Sequence, residues 1–179
     1  MKATGIVRRI DDLGRVVIPK EIRRTMRIRE GDPLEIYTEK DGEVIFKKYS
    51  PMGELADFAM SICESLHKTT GAITAVADRD SIIAAAGGTR RELVDKRISS
   101  ALEQLMEARS PVQFEIGQAL PLLEDTDKFL CAVAAPILAE GDVLGCVLFA
   151  GNAENLPSGD VEFKLAQTVA GFLGRQMEA

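Results

Sequence analysis

The chain has 179 residues, 46% of them apolar and 28% charged, a balance that fits a packed globular core and argues against a disordered chain. No apolar run approaches the roughly 20 residues of a membrane-spanning helix, and the opening MKATGIVRRIDD has no apolar signal core, so a cytoplasmic home without membrane contact is expected. The net charge of −6 is unevenly spread: residues 1–29 hold nine Lys or Arg against three acids, a net of +6, which leaves −12 for the rest. A basic end joined to an acidic remainder points to nucleic acid at one end only.

Along the chain, Ile6-Val7 and Val16-Val17-Ile18 predict two short strands around the turn-rich stretch Asp11-Asp12-Leu13-Gly14. Pro19 closes the second strand and opens a predicted helix over 20–27. On that helix Ile22 and Met26 share one face, and Arg23, Arg24 and Arg27 cluster on the other. Glu21 stands beside them, placed to orient the arginines, to cap the helix, or simply as an ordinary first-turn acid that suits the helix dipole. A hairpin comes next, 34–37 and 44–46, in which Asp41-Gly42 predicts a tight type I′ turn. About 50 residues without disulfide or metal bury too little surface to stand alone, so the unit is expected to dimerise.

Ser50-Pro51-Met52-Gly53 marks a boundary, giving domains 1–50 and 51–179. Beyond it, Leu55, Phe58, Ala59, Ile62, Cys63 and Leu66 recur at helical spacing. Strands are expected over 73–77 and 82–86, then Gly87-Gly88 and a helical region over 90–109 with a break near Asp95, its start marked by the capping-box pattern Thr89 to Glu92. A strand over 112–116 precedes an irregular stretch, 117–128. An apolar hairpin, 129–138 and 143–150, and a final helix using Val161, Leu165, Val169, Phe172, Leu173 and Met177 complete the chain. Three scattered cysteines (Cys63, Cys131, Cys146) and one histidine, His67, offer neither a disulfide framework nor a zinc set, so no metal or cofactor is expected.

The stretch TGIVRRIDDLGRVVIPKEIRRTMRIREGDPLEIY resembles the AbrB-like swapped-hairpin DNA-binding domains, the likeness covering about residues 2–48. It implies that two chains interlock hairpins into one small β-barrel whose arginines face double-stranded DNA. By position the implied contacts are Arg8, Arg15, Arg23 and Arg24, with Arg9 a neighbour; charge and helix geometry add Lys2 and Arg27. Guanidinium groups engage phosphate bidentately and read guanine edges, which suits duplex recognition. Residues 54–179 resemble a GAF domain, most clearly in AVAAPILAEGDVLGCVLFAG. The fold class is therefore expected to be α+β, a swapped-hairpin barrel plus a GAF-like α/β sensor. The order of modules resembles a sporulation regulator of spore-forming bacteria. That likeness implies an activator and repressor of late, forespore-specific genes, assembled as a tetramer through C-terminal contacts.

A GAF-like domain implies a small-molecule effector, although no cyclic-nucleotide, haem or bilin motif is found. Gly87, Gly88, Thr89 and Arg90 leave a strand and enter a helix, where backbone N–H groups and a guanidinium offer an anion site; the alternative is a plain glycine turn with a threonine cap. Catalysis is not expected, because His67 has no placed nucleophile and no GxSxG or Walker pattern occurs. The competing reading is an antitoxin that binds its own promoter with the same module. Such proteins continue into a short acidic tail, whereas this chain continues into more than a hundred residues of periodic apolar pattern.

Overall fold

The computed structural model describes residues 4–87 and 90–178. The chain divides into two compact units, the first ending at Tyr49 and the second beginning at Ser50.

In the first unit the turn at 11–15 forms as expected, with Asp11 N–H donating to Arg15 O (3.0 Å) and Gly14 N–H to Asp11 O (3.1 Å). The strands expected on either side of it do not form: residues 4–10 and 15–19 belong to no ladder. A strand exists only where another strand answers its N–H and C=O groups, and beyond that turn no segment among the described residues of the same unit does so. Their apolar side chains stay in the open, Val7 at 89% and Val17 at 70% exposure.

Helix α1 (Lys20–Thr25) starts behind Pro19, whose fixed φ suits that position. It is two residues shorter than the sequence predicts. Arg27 sits in the left-handed region (φ 51°), Ile28 N–H donates to Arg23 O (2.7 Å) and Arg27 N–H to Arg24 O (3.2 Å). That paired bond is the Schellman closure, here with an arginine where glycine is usual. Strands β1 (Leu34–Thr38) and β2 (Val44–Lys48) pair antiparallel with Ile36 opposite Phe46. Their turn is not the type I′ that Asp41-Gly42 suggests. Gly42 alone has positive φ (84°) and its N–H donates to Glu39 O, which is the three-residue turn closed by a glycine bulge.

The second unit opens with a 3-10 turn at Pro51–Leu55 that buries Met52, then α2 (Ala56–Thr70). Strands β3 (Ile73–Asp78) and β4 (Ile82–Ala86) come next. The region 90–109, expected to be helical with a break near Asp95, is two helices: α3 (Arg90–Leu93) and α4 (Ser100–Glu107). The chain turns between them at Asp95 (φ 64°), and Ser99 accepts from Leu102 N–H to cap α4. β5 is only Val112–Gln113, and the stretch expected to be irregular contains β6 (Leu120–Pro121). The long strands β7 (Leu130–Ala139) and β8 (Asp142–Gly151) join through Glu140-Gly141, both at positive φ, a type I′ turn. Helix α5 (Asp160–Met177) ends the chain.

The antiparallel sheet runs β4-β3-β8-β7-β5, with β6 also on β7. It is covered on both faces, which is why β7 and β8 read as continuous apolar runs rather than alternating ones. Ala59, Cys63 and Leu66 of α2 and Ala166, Ala170 and Leu173 of α5 pack with Val76, Val133, Val147 and Phe149 on one face. Leu93, Ile98, Leu102 and Met106, with Leu122, Leu123 and Phe129, pack with Ala75, Cys146 and Leu148 on the other. Gly174 lets α5 lie directly on β7: a Cβ there would stand 2.1 Å from Leu138 O. Thr74 is buried, and its hydroxyl ties β3 to α2 by donating to Cys63 O (2.8 Å).

Candidate nucleic-acid interface

The basic residues singled out in the sequence fall in three places of the first unit. Arg8 and Arg9 lie on the segment before the turn, Arg15 closes the turn, and Arg23 and Arg24 occupy the last turn of α1. All five are exposed. Arg8, Arg9, Arg23 and Arg24 have no acidic partner among the described residues, so their guanidinium groups are left to solvent or to a ligand. Lys2 lies outside the described residues.

Arg27 must be corrected. Helix geometry places it with the cluster, but α1 stops at Thr25, and Arg27 is the left-handed residue that ends it. Its carbonyl accepts from Lys48 Nζ (2.8 Å), which holds the helix end to β2. Any contact it makes with DNA thus depends on the turn after the helix, not on the helix face.

Glu21 is an ordinary first-turn acid of α1 rather than a cap or an arginine partner. No side chain caps α1, and the Glu21 backbone carbonyl, not its carboxylate, accepts from Thr25 Oγ1 (2.9 Å). The carboxylate that engages an arginine is Asp11. Its Oδ1 accepts from Leu13 N–H (3.0 Å) and Arg15 N–H (2.8 Å), and its Oδ2 from Arg15 Nε–H (2.7 Å). The Arg15 backbone N–H and then its guanidinium hold the Asp11 carboxyl below its ordinary range. Sequence reasoning passes over this residue, although an acid four positions before an arginine, across a Gly-containing turn, carries the signal.

The anion site expected at Gly87, Gly88, Thr89 and Arg90 is changed by the length of the helix after it. Gly88 and Thr89 lie outside the described residues. Gly87 has φ 118° and an added Cβ would stand 3.0 Å from Ile73 Cα, so glycine is required there by backbone conformation and by close approach. Arg90 is exposed at the head of α3, which has four residues, too few to build up much of a helix dipole. Ile73 also lines a shallow depression of about 280 Å³ with Gly71, Lys128, Phe129 and Asn152.

Elsewhere the second unit shows structural chemistry. His67 Nδ1 meets Ala72 O at 2.7 Å and links the end of α2 to β3. All three cysteines are buried; burial pushes the Cys63 and Cys131 thiols up to about 12 and Cys146 well above its ordinary value. Among the described residues no group of three or more His, Cys, Asp or Glu is arranged to hold a metal ion, and no helix is long and apolar enough to cross a membrane.

A small basic module that exposes Arg8, Arg9, Arg15, Arg23 and Arg24, joined to a separate sheet-and-helix domain, is the build of a DNA-binding transcription regulator. The comparisons give the family. Residues 54–178 match the family described as stage V sporulation protein T C-terminal, transcription factor, and residues 7–53 match that described as antidote-toxin recognition MazE, bacterial antitoxin. Stage V sporulation protein T of Bacillus subtilis (strain 168) is 50% identical over 179 residues, 99% of each chain. The transition state regulatory protein AbrB of the same organism is 56% identical over 63 residues, 32% of this chain and 65% of that one. A type II free methionine-R-sulfoxide reductase from Thermoplasma acidophilum, 9% identical, covers 70% of this chain and 94% of its own at a TM-score of 0.51, a likeness of fold alone. The chain belongs to the stage V sporulation protein T family of transcription factors. Its fold class is α+β, an AbrB-like module followed by a separate domain of one antiparallel sheet covered by helices.

Proposed function

We propose that two copies interlock through residues 4–19 and present Arg8, Arg9, Arg15, Arg23 and Arg24, with Arg27 and Lys2 at the margin, as one face to double-stranded DNA. The observation that carries this reading is the pair of unladdered segments whose apolar side chains Val7, Ile10, Val16 and Val17 are exposed. Each such side chain gains roughly 1.5–3 kcal/mol when fully buried, and a second copy supplies both the cover and the missing strand partners. Pairing also doubles the +6 of the basic segment. The second domains join two dimers into a tetramer, which the exposed Phe58–Phe172 ring pair (6.0 Å between centroids) on α2 and α5 supports. The protein acts in the forespore cytoplasm, activating some late sporulation genes and repressing others. It is not an enzyme: its thiols are buried and protonated, and its single histidine is committed to a backbone carbonyl.

Gel shifts across a salt series test the DNA face. With several phosphates neutralised per dimer, log affinity falls linearly with log salt at about −0.9 per contact, and Arg23→Ala and Arg24→Ala each lower affinity. Parental affinity in both variants contradicts the assignment.

The second domain is the regulatory half, and its effector site is the loop Gly87, Gly88, Thr89 and Arg90, beside the depression that shares Ile73. Titration with small anionic metabolites, following backbone shifts at Gly88 and Thr89, tests it; unmoved signals with every anion leave the loop a glycine turn. The MazE match over residues 7–53 favours an antitoxin reading for the module alone. Beyond residue 53, however, the chain forms a sheet buried on both faces, not a tail free to wrap a toxin.

A further inference from the structure

We propose that Asp11 is a positioning residue for DNA recognition, holding the Arg15 guanidinium side-on so that its terminal edge is aimed and kept free for the duplex. The proposal rests on the reading of Arg15 as a DNA contact.

The chemistry lies in which edge of the guanidinium is used. Arg15 donates through Nε to Asp11 Oδ2 at 2.7 Å, and it has no other side-chain partner among the described residues. A guanidinium has a side edge, Nε with one Nη, and an end edge made of the two Nη groups. Asp11 occupies the Nε–H on the side edge. The end edge is the one that matches two acceptors in parallel, as in guanine O6 and N7 or two phosphate oxygens. Asp11 is itself fixed: its other oxygen takes the N–H groups of Leu13 and Arg15 (3.0 and 2.8 Å), and its own N–H donates to Arg15 O (3.0 Å). The arginine therefore leaves the turn from a base whose backbone and side chain are tied to one carboxylate. Its side chain still keeps 70% of its exposure.

This sets Arg15 apart from Arg8, Arg9, Arg23 and Arg24. Those four carry their full charge on long rotatable stems, which serves attraction to phosphate along any sequence. Arg15 has part of its charge offset by the adjoining carboxylate and loses less side-chain freedom on binding. A carboxylate at a DNA-facing surface repels phosphate, so its presence has to be repaid by direction. The pair gives up general attraction and gains discrimination.

That trade yields a prediction opposite in sign to the simple electrostatic one. The test uses the full chain, with duplexes selected by it from a random pool and an unselected duplex for comparison. Asp11→Asn keeps an oxygen for the Leu13 and Arg15 N–H groups but loses the charged partner of Nε; Asp11→Ser keeps a turn-capping oxygen too short to reach Nε. In both variants the preference for selected over unselected duplex is expected to fall about fivefold, the low end of what one bidentate contact distinguishes. Binding to unselected duplex is expected to hold or tighten, because a negative charge has gone. The Arg15 Nε–H resonance should also shift toward the position of an unpaired arginine, with the melting temperature of the first unit unchanged.

Parental preference in both variants, with Arg15→Ala having lost it, overturns the positioning role and leaves Arg15 as a contact. Equal weakening on both duplexes together with a lower melting temperature makes Asp11 a turn residue only, and overturns the proposal as well. Parental preference in Arg15→Ala is the distinct outcome that removes Arg15 from the DNA face altogether.

Discussion

The two units solve the problem of burial differently. The buried apolar core lies between Met52 and Leu173, in a sheet covered by helices on both faces. Among the described residues of the first unit only Pro19 is buried. There Ile6, Val7, Ile10, Val17, Met26, Ile36 and Phe46 are all exposed, although the unit contains a helix and a hairpin of ordinary geometry. Local structure and a core are therefore separable. Turn chemistry, a proline and cross-strand bonds are enough to shape the first unit, while its stability has to come from a second copy. The second unit completes its own core, with no sheet face left over for a partner.

Thiol chemistry sharpens the comparison most. With Cys63 and Cys131 pushed from 9.0 to about 12 by burial, the thiolate fraction at pH 8 falls about a thousandfold. Alkylation of the native chain at that pH should be slower than that of the denatured chain by at least this factor. The sign for stability is then set: the folded state favours the protonated thiol, so the contribution is whole below pH 9 and declines as pH rises from 9 toward 12. The second unit should lose stability over that window through its thiols; the first has no cysteine and contributes there through the exposed Tyr37 phenol, whose pKa is raised by the hydrogen bond it donates to Glu35. Fast labelling of the native protein would mean that the sheet opens far more readily than its packing implies.

The converse change strikes only the first unit. Val17→Asp places a carboxylate where the interlocked hairpin needs an apolar side chain, at a cost of several kcal/mol. Affinity for duplex should drop by at least about a hundredfold, since about 2.8 kcal/mol is a factor of 100. Thermal unfolding of the second unit should remain parental. Retained DNA binding would mean that residues 4–19 are not the interface.

Much of this was legible from residue types that act alone. Pro19, the helical stripe of α2, Asp11 to Gly14 as a turn, and the β7–β8 hairpin each derive from a local rule, and each is present. The illegible parts depend on context. Asp41-Gly42 carries the stronger dipeptide signal for a type I′ turn, yet Glu140-Gly141 adopts it, because the long, fully paired strands on either side impose the two-residue connection. In the region 90–109 the break near Asp95 is legible, but its extent is not: Arg97 and Ile98 are taken into β-bridges with Ser81 and Leu123, which keeps the chain out of helix as far as Ser99. At the site, the resemblance names Arg8, Arg15, Arg23 and Arg24 as candidates, and charge with helix geometry adds Lys2 and Arg27. The acid that engages one of them is missed: Glu21 draws attention as the helix neighbour, whereas Asp11, read only as a turn residue, is the one whose carboxylate meets Arg15.

Arg27 offers the smallest change and the finest test. A residue with a Cβ costs about 1–2 kcal/mol in the left-handed region, and glycine is the usual occupant of this helix-ending position. Yet the bonds that depend on the conformation all use main-chain atoms of Arg27 and its neighbours: Ile28 N–H to Arg23 O, Arg27 N–H to Arg24 O, and Lys48 Nζ to Arg27 O. Arg27→Gly keeps all three and removes the strain, so the first unit should gain about 1 kcal/mol in denaturant unfolding, less the entropy that glycine adds to the unfolded chain. If the side chain also touches phosphate, the same variant should bind every duplex more weakly, with a salt slope shallower by about 0.9 for each phosphate that is no longer neutralised. A variant that is more stable and binds as before would assign Arg27 to the helix end alone. One that is more stable and binds less well would mean that the strained conformation is kept for the charge it carries.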